Sequence, residues 1–296
     1  MGRDLYEKFP AARKVFDEAD AALDAPISKL CFDGPEDQLK LTENTQPAIL
    51  TVSFAAAVLL HERGIDAHYT AGHSLGEYSA HAVAGTFSFA DAVCTVRNRG
   101  RYMQQAVPAG QGAMAAILGL PAQTITAACT EAAAETGSVV APANFNAPEQ
   151  TVISGSVAGV ERAAALCKER GAKRAVMLPV SAPFHCSLMQ PAQDSLATDL
   201  SKVDFYPPQI PVVCNVDAAV VATGDAARYT LTRQVTGAVR WLECMQLLIA
   251  EGVTHFVEVG PGKVLCGLMR QIDRSQVCLN VEDSASLEKT AELLKS

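Results

Sequence analysis

The sequence lacks any hydrophobic run that approaches the ~20 residues needed for a helix to cross a bilayer. It also lacks a signal-peptide pattern at its start, so we expect a cytoplasmic protein with no membrane association. Basic residues are few, 24 against 32 acidic ones, and the formal net charge is -8. This balance argues against nucleic acid as the main partner.

Paired cysteines are missing as well: the nine cysteines are scattered, and no two form a C-x-x-C pair. An odd, dispersed set has neither the spacing of a zinc site nor the even count typical of a disulfide framework. We expect reduced thiols that pack as small core hydrophobes. Hydrophobic residues make up 49% of the 296 residues and charged ones 19%, which is typical of a folded globular chain and not of a disordered one.

Helix-like and strand-like segments alternate in the first third of the chain. Apolar residues recur at helical spacing over Asp4–Leu23, and a second helix is predicted from about Thr45 to Gly64 with Pro47 in its first turn. A short strand over Ala67–Ala71 and a helix from Leu75 to about residue 84 follow. This order predicts a strand that enters a sharp turn and leaves as a helix.

The predicted pattern changes at residue 112, where the order of segments becomes strand, helix, strand, strand, helix, strand. That order is typical of a ferredoxin-like unit. The chain then returns to an α/β pattern. We therefore expect an α/β protein with two subdomains: an α/β-hydrolase-like catalytic subdomain with a parallel sheet (residues 1–110 and 182–296), and an inserted ferredoxin-like α+β subdomain (residues 111–181).

The turn between the predicted strand and helix reads Gly72-His73-Ser74-Leu75-Gly76, which has the G-x-S-x-G form of a nucleophile elbow. In such a turn the serine hydroxyl stands clear of the sheet, and backbone N–H groups of the following helix point at the group under attack. The motif indicates acyl transfer, although the pattern alone is weak evidence.

A serine nucleophile needs a base within hydrogen-bond reach. Of the six histidines, His185 is the best placed, because it lies on a loop after the strand ending near Val180, at the carboxyl end where α/β proteins hold catalytic groups. The alternative is a loop histidine with a structural bond. His61 and His81 read as surface or packing residues, and alternation along the strand points His73 away from Ser74.

The chain resembles the malonyl-CoA:acyl-carrier-protein transacylases and the related acyltransferase domains of polyketide synthases. Several separate motifs, in the family's order along nearly the whole chain, carry this resemblance. They are Thr45-Gln46-Pro47-Ala48, Gly72 to Ala80, Arg97-Asn98-Arg99-Gly100, Gly112-Ala113-Met114, Asn144-Phe145-Asn146, Val180-Ser181-Ala182-Pro183-Phe184-His185 and Val257-Glu258-Val259-Gly260-Pro261-Gly262.

The resemblance implies a role for each matching residue. Ser74 is the expected nucleophile and His185 the base that takes its proton. The main-chain carbonyl of Gln234 is expected to orient His185 in place of an aspartate, and the backbone N–H of Leu75 to form part of the oxyanion hole. No metal or cofactor is implied; the expected partners are a coenzyme A thioester and the acyl carrier protein.

Arg99 matches the family's arginine that pairs with the free carboxylate of the malonyl group, a contact that selects malonyl over acetyl. The resemblance also places His73, Phe184 and Asn144 at the substrate-binding site. Leu75 and Phe184 match the members that prefer malonyl over methylmalonyl groups.

One part of the family pattern is not matched. The family opens with a strand and a Gly-Gln-Gly-Ser-Gln turn, about 17 residues that precede the position of Met1-Gly2 here. The turn's glutamine supplies the other oxyanion N–H. Either the natural protein starts upstream, which we expect, or a shortened protein has lost part of its activity.

Two alternatives to the transferase remain open at this stage. The first is an acyl-carrier-protein acyl hydrolase of the same fold, although such enzymes tend to lose the arginine found here, and the second is an inactive homologue. Gly260-Pro261-Gly262-Lys263 is better explained as a tight turn than as a phosphate-binding loop, because it lacks the Walker spacing. A basic cluster of Arg162, Lys168, Arg170, Lys173 and Arg174 is either a carrier-protein surface or a solvated helix face.

Overall fold

A computed structural model describes residues 1–180 and 182–295; Ser181, in one of the matched motifs, and Ser296 lie outside the described residues. The helices are α1 (Arg3–Lys8), α2 (Pro10–Leu23), α3 (Ile27–Asp33), α4 (Glu36–Leu39), α5 (Thr42–His61), α6 (Leu75–Val83), α7 (Phe89–Gln105), α8 (Ala122–Thr136), α9 (Val157–Glu169), α10 (Gln190–Leu200), α11 (Gly224–Gln234), α12 (Trp241–Ala250), α13 (Val264–Ile272) and α14 (Ser284–Lys295). The strands are β1 (Thr70–Ala71), β2 (Gly112–Leu118), β3 (Val140–Ala147), β4 (Gln150–Ser156), β5 (Arg174–Met177), β6 (Val212–Cys214), β7 (Ala219–Val221), β8 (His255–Val259) and β9 (Val277–Val281). None of the helices described is both long and apolar enough to span a bilayer.

The first helical stretch is broken, which corrects the expectation of one continuous helix over Asp4–Leu23. Phe9 is extended, with φ -123° and ψ 117°, and α2 starts anew at Pro10. A residue before proline is pushed out of the helical region, so the break follows from the sequence. Helix α5 begins at Thr42, earlier than predicted, and therefore holds Pro47 inside the helix and not in its first turn.

Parallel strands position the predicted elbow. Strand β1 pairs in parallel with β6, with Thr70 opposite Val212, and β7 adds an antiparallel edge to the same sheet. Strands β8 and β9 form a second parallel pair. The expected parallel pairing is therefore present, although β1 is shorter than the predicted strand over Ala67–Ala71. The helices α2, α5 and α7 pack together beside these strands and supply most of the largest hydrophobic core.

The middle of the chain forms a four-stranded antiparallel sheet in the order β3-β4-β2-β5. The first and third of these strands along the chain are central, which is the ferredoxin-like arrangement. Helices α8 and α9 pack on it and enclose a separate core. The exact division of the chain at residues 111 and 181 stays a prediction.

Strand β3 joins this small sheet to the larger part of the molecule. The N–H of Phe145 donates to the carbonyl of Val239 at 2.9 Å, and the N–H of Val239 donates to the carbonyl of Ala143 at 2.8 Å. The side chain of Phe184 packs against hydrophobic clusters of both parts. These contacts bring β3 and the loop of His185 to the carboxyl ends of β1 and β6.

Candidate active site

Ser74 lies in a strained turn between β1 and α6. Its φ of 52° and ψ of -105° are outside the regions that non-glycine residues favour. A Cβ at Gly72 would lie 1.9 Å from the carbonyl oxygen of Gly76, so only glycine fits there. The N–H of Ser74 donates to Asn215 Oδ1 at 2.8 Å. The glycine at position 72 therefore permits the tight turn, and Asn215 fixes the backbone of the serine.

The Ser74 hydroxyl contacts His185, as the sequence predicts for a nucleophile and its base. Ser74 Oγ is 2.7 Å from His185 Nε2. On the other side of the ring, His185 Nδ1 is 2.8 Å from the carbonyl oxygen of Gln234 and 3.1 Å from that of Gly237. Carbonyl oxygens only accept, so Nδ1 carries the proton and Nε2 is free to accept from the serine.

The electrostatics of the site keep this imidazole neutral. Burial, and then the positive charge of Arg99, lower the pKa of His185 to about 3. The ring therefore presents an unprotonated Nε2 to the Ser74 hydroxyl at neutral pH. The described partners of Nδ1 are both uncharged, so an imidazolium at this position would be stabilised less than one beside a carboxylate.

Arg99, on α7, is a buried cation whose described hydrogen-bond partners are all neutral. Its side chain is 2% exposed. Nη1 donates to Gln46 Oε1 at 2.6 Å, while Nη2 donates to Ser74 Oγ and to Gln234 Oε1, both at 3.0 Å. The guanidinium also lies over the ring of Tyr78, 5.3 Å from its centroid. None of these contacts supplies the negative charge that a buried guanidinium normally needs.

Beneath the serine lies a buried polar cluster of Glu77, Asn215 and the side chain of Gln234. Glu77 Oε2 accepts from the N–H of Asn215 at 2.9 Å and from Gln234 Nε2 at 2.7 Å. Asn215 Nδ2 in turn donates to the carbonyl of Gly72 at 2.8 Å. Burial raises the pKa of Glu77 to about 7. The cluster ties helix α11 and strand β6 to the elbow.

Sequence reasoning assigned no role to Gln46, Glu77 or Asn215. Two of these residues lie inside motifs that carry the resemblance, which was a usable signal. Asn215 follows β6 directly, and a polar residue at the carboxyl end of a strand beside the elbow was a second one.

The remaining predicted site residues lie around this centre without a hydrogen bond to it. His73 Nε2 is 2.8 Å from Asn146 Oδ1, and its ring lies 5.6 Å from that of Trp241, so it turns away from Ser74. Asn144 is buried on β3 beside Val239. Phe184 is adjacent to His185 and partly buried. Their roles in substrate binding stay predictions.

The backbone N–H of Leu75 is available to an oxyanion. Leu75 is the first residue of α6, so no carbonyl inside the helix can accept from it. It directly follows the nucleophile, where the helix dipole also favours negative charge. The geometry supports the expected role, which stays a prediction.

Other polar features serve structure. His81 is fully buried, with Nδ1 3.0 Å from Thr86 Oγ1.

In the Gly-Pro-Gly turn, Glu282 accepts from the N–H of Gly262, and Glu258 accepts from two N–H groups at the start of α13. Carboxylates thus occupy the positions that a phosphate would need.

The basic cluster on the inserted unit is largely neutralised by glutamates. Arg162 pairs with Glu135 and Glu169, Arg170 with Glu131, and Lys173 with Glu149. These pairs favour the solvated-face interpretation. Among the residues that the structure describes, no group of three or more His, Cys, Asp and Glu side chains could hold a metal ion.

An elbow serine hydrogen-bonded to a neutral histidine, beside a helix N-terminus, is the arrangement typical of serine acyltransferases and hydrolases. The chain belongs to the acyl transferase domain family, which matches residues 1–290. It is 48% identical over 295 residues to the malonyl CoA-acyl carrier protein transacylase of Bacillus subtilis (strain 168), covering 100% of this chain and 93% of that relative.

Solved structures show the same likeness. The acyl-carrier-protein S-malonyltransferase from Burkholderia pseudomallei 1710b superposes with a TM-score of 0.94 at 49% identity, covering 97% of this chain and 93% of that one. A type II PKS acyl-carrier protein in complex with its malonyl-transacylase provides a match with a TM-score of 0.96 at 44% identity, covering 99% and 94% of the two chains.

Proposed function

We propose that this chain transfers the malonyl group from malonyl-CoA to the phosphopantetheine thiol of acyl carrier protein, and so supplies the extender unit for fatty-acid synthesis. The transfer passes through a malonyl ester of Ser74. Relatives at 48% and 49% identity are named for this reaction, and one solved relative is in complex with an acyl carrier protein.

The observation that carries the proposal is the buried guanidinium of Arg99. It lies 3.0 Å from the nucleophilic oxygen and has only neutral hydrogen-bond partners among its described contacts. A carboxylate at the far end of a short acyl group would reach this cation while the acyl carbon sits at Ser74. A planar guanidinium can hold that carboxylate with two parallel hydrogen bonds.

In the first half-reaction, His185 Nε2 takes the proton of the Ser74 hydroxyl as Oγ attacks the thioester carbonyl. The N–H of Leu75 stabilises the oxyanion that forms. The carbon–sulfur bond then breaks, and the coenzyme A sulfur leaves with the proton from His185. The main-chain carbonyl of Gln234 holds the ring in the required tautomer throughout.

The second half-reaction reverses these steps with a different thiol. His185 takes the proton of the phosphopantetheine thiol, and the sulfur attacks the malonyl ester. The ester bond breaks, and Ser74 Oγ recovers the proton. Because both thiols use the same site in turn, ping-pong kinetics are expected. Each step uses only side chains and backbone groups of the protein, without a metal or cofactor.

We place the reaction in the cytoplasm. All nine cysteines are free thiols in the structure, which fits a reducing compartment.

The test is a transfer assay followed by intact-protein mass spectrometry of both proteins. With malonyl-CoA alone, the enzyme should gain the mass of one malonyl group, and a Ser74→Ala variant should gain none. Addition of holo carrier protein should move that mass to the carrier, while apo carrier protein, which lacks the thiol, should leave it on the enzyme. If the enzyme without any carrier protein lost its malonyl group to water as fast as it does with holo carrier protein, it would instead be a hydrolase.

A further inference from the structure

We propose that Glu77 is a positioning residue for recognition of the acyl carboxylate, because it fixes the guanidinium of Arg99 through the side-chain amide of Gln234. The inference rests on the proposed function, in which Arg99 binds the malonyl carboxylate. It gives the Gln234 side chain a task separate from that of its main-chain carbonyl.

The three side chains form a continuous bridge. Gln234 Nε2 donates to Glu77 Oε2 at 2.7 Å, and Gln234 Oε1 accepts from Arg99 Nη2 at 3.0 Å. All three residues are buried, with Glu77 and Gln234 at 0% exposure. The bridge therefore has no solvent to replace a lost partner, and each bond counts for more than it would at the surface.

The hydrogen-bonding chemistry of Glu77 and Arg99, at the two ends of the bridge, fixes the orientation of the Gln234 amide between them. Glu77 Oε2 accepts and a guanidinium only donates, so the amide of Gln234 can satisfy both in one orientation alone. A flipped amide would set its oxygen against Oε2 and its NH₂ group against the cation. Glu77 thus determines, together with the carbonyl of Ser74, which accepts from the same Nε2 at 2.9 Å, that an acceptor faces Arg99.

That acceptor is one of the anchors that hold the guanidinium. Nη1 is held by Gln46 on α5, and Nη2 by Gln234 on α11 together with Ser74 Oγ. During acylation Ser74 Oγ becomes an ester oxygen and a poorer acceptor. The Gln234 amide then remains to keep Nη2 directed at the acyl group. Its Nε2 makes its shortest hydrogen bond to Glu77, so Glu77 is the main acceptor that fixes its orientation.

Glu77 also supports the elbow through a second contact, since Oε2 accepts from the N–H of Asn215. A purely structural role would therefore lower the transfer of every acyl group alike. The positioning role predicts a selective loss, confined to acyl groups that carry a carboxylate. The ratio of kcat/KM for malonyl-CoA to that for acetyl-CoA separates the two roles.

The experiment compares three variants with wild type. Glu77→Gln keeps an oxygen that can accept both bonds, and Oε1, which its Nε2 replaces, has no partner among the described groups. Glu77→Leu removes the acceptor, and Gln234→Leu cuts the bridge at its centre while keeping the main-chain carbonyl. Ser79→Ala is the matched control, because it also changes a buried polar residue of α6, whose Oγ makes no described hydrogen bond.

Glu77→Gln and Ser79→Ala should keep the malonyl-to-acetyl ratio within about threefold of wild type, since no hydrogen bond of the bridge is lost. Glu77→Leu and Gln234→Leu should each lower the ratio by about tenfold or more, because a buried acceptor facing a cation is lost or misdirected. The acetyl rate should fall far less than the malonyl rate.

Equal losses for both acyl groups in a folded Glu77→Leu variant would overturn the proposal, and so would an unchanged ratio. If Glu77→Leu does not fold, Gln234→Leu decides, and an unchanged ratio in that variant overturns it. A wild-type protein that forms no malonyl ester would instead overturn the proposed function, and that result requires no variant.

Discussion

Replacement of Arg99 by methionine removes the buried cation while keeping an unbranched side chain. In the proposed complex two charge-assisted hydrogen bonds to the malonyl carboxylate are lost, each worth about 1.5–3 kcal/mol. Residual water in the pocket offsets part of this, so we expect a loss of about 3 kcal/mol, or roughly 150-fold in kcat/KM for malonyl-CoA. Acetyl-CoA has no carboxylate, and its rate should fall little or rise, since the charge that disfavours the His185 imidazolium is gone.

The assay measures kcat/KM for both thioesters by release of coenzyme A, with carrier protein in excess. Arg97→Met is the matched control, because Arg97 is on the same helix and its Nη1 donates to the carbonyl of Leu23, away from Ser74. The Arg99 variant should lose its preference for malonyl, and the Arg97 variant should keep it. An Arg99→Met enzyme that still prefers malonyl by the wild-type factor would refute the assignment of the carboxylate to this cation.

Three further predictions concern the turn and the buried histidines. Gly72→Ala should abolish activity, because its Cβ would lie 1.9 Å from the Gly76 carbonyl oxygen, whereas a Cβ at Gly76 meets nothing within 4 Å and Gly76→Ala should retain activity. Activity and circular dichroism of the two variants test this prediction, and equal activity in both would contradict it. The pKa of about 3 for His185 predicts that kcat/KM holds down to about pH 5, so a pH profile with an acidic midpoint near 6.5 would contradict the electrostatic account. Burial lowers the pKa of His81 to about 3 in the folded state, so its stabilising contribution is complete above the unfolded value of 6.5 and is lost as the pH falls towards 3. Urea unfolding at pH 6.5 and 4.5 should show a smaller loss of unfolding free energy for His81→Gln than for wild type, by up to ~1.4 kcal/mol per pH unit, and identical losses would argue against this.

Much of the fold follows from local sequence. The order of segments predicts the ferredoxin-like sheet, since each strand and helix there is bounded by its own turn residues. The break at Phe9 was also readable, because Pro10 restricts the residue before it. The length of β1 could not be predicted locally, because it depends on pairing with β6, some 140 positions further along the chain.

The site divides in the same way. Ser74 lies in a turn with a local pattern, so it was predictable. His185 was identified by its motif, since the strand before it, β5, belongs to the antiparallel sheet and not to a parallel one. Glu77 and Asn215 required knowledge of which polar side chains become buried together, and periodicity does not report that. A glutamate in the first turn of a helix normally faces solvent and the helix dipole, whereas here α11 packs over it.

The most direct test of the account is a competition experiment on the enzyme alone. The protein is mixed with equal amounts of malonyl-CoA and acetyl-CoA, quenched in acid and digested, and the acylated peptide is identified by mass spectrometry. The account predicts a single modified residue, Ser74, carrying mainly the malonyl group. Acylation at another residue, or an acetyl group in equal or greater amount on Ser74, would contradict it.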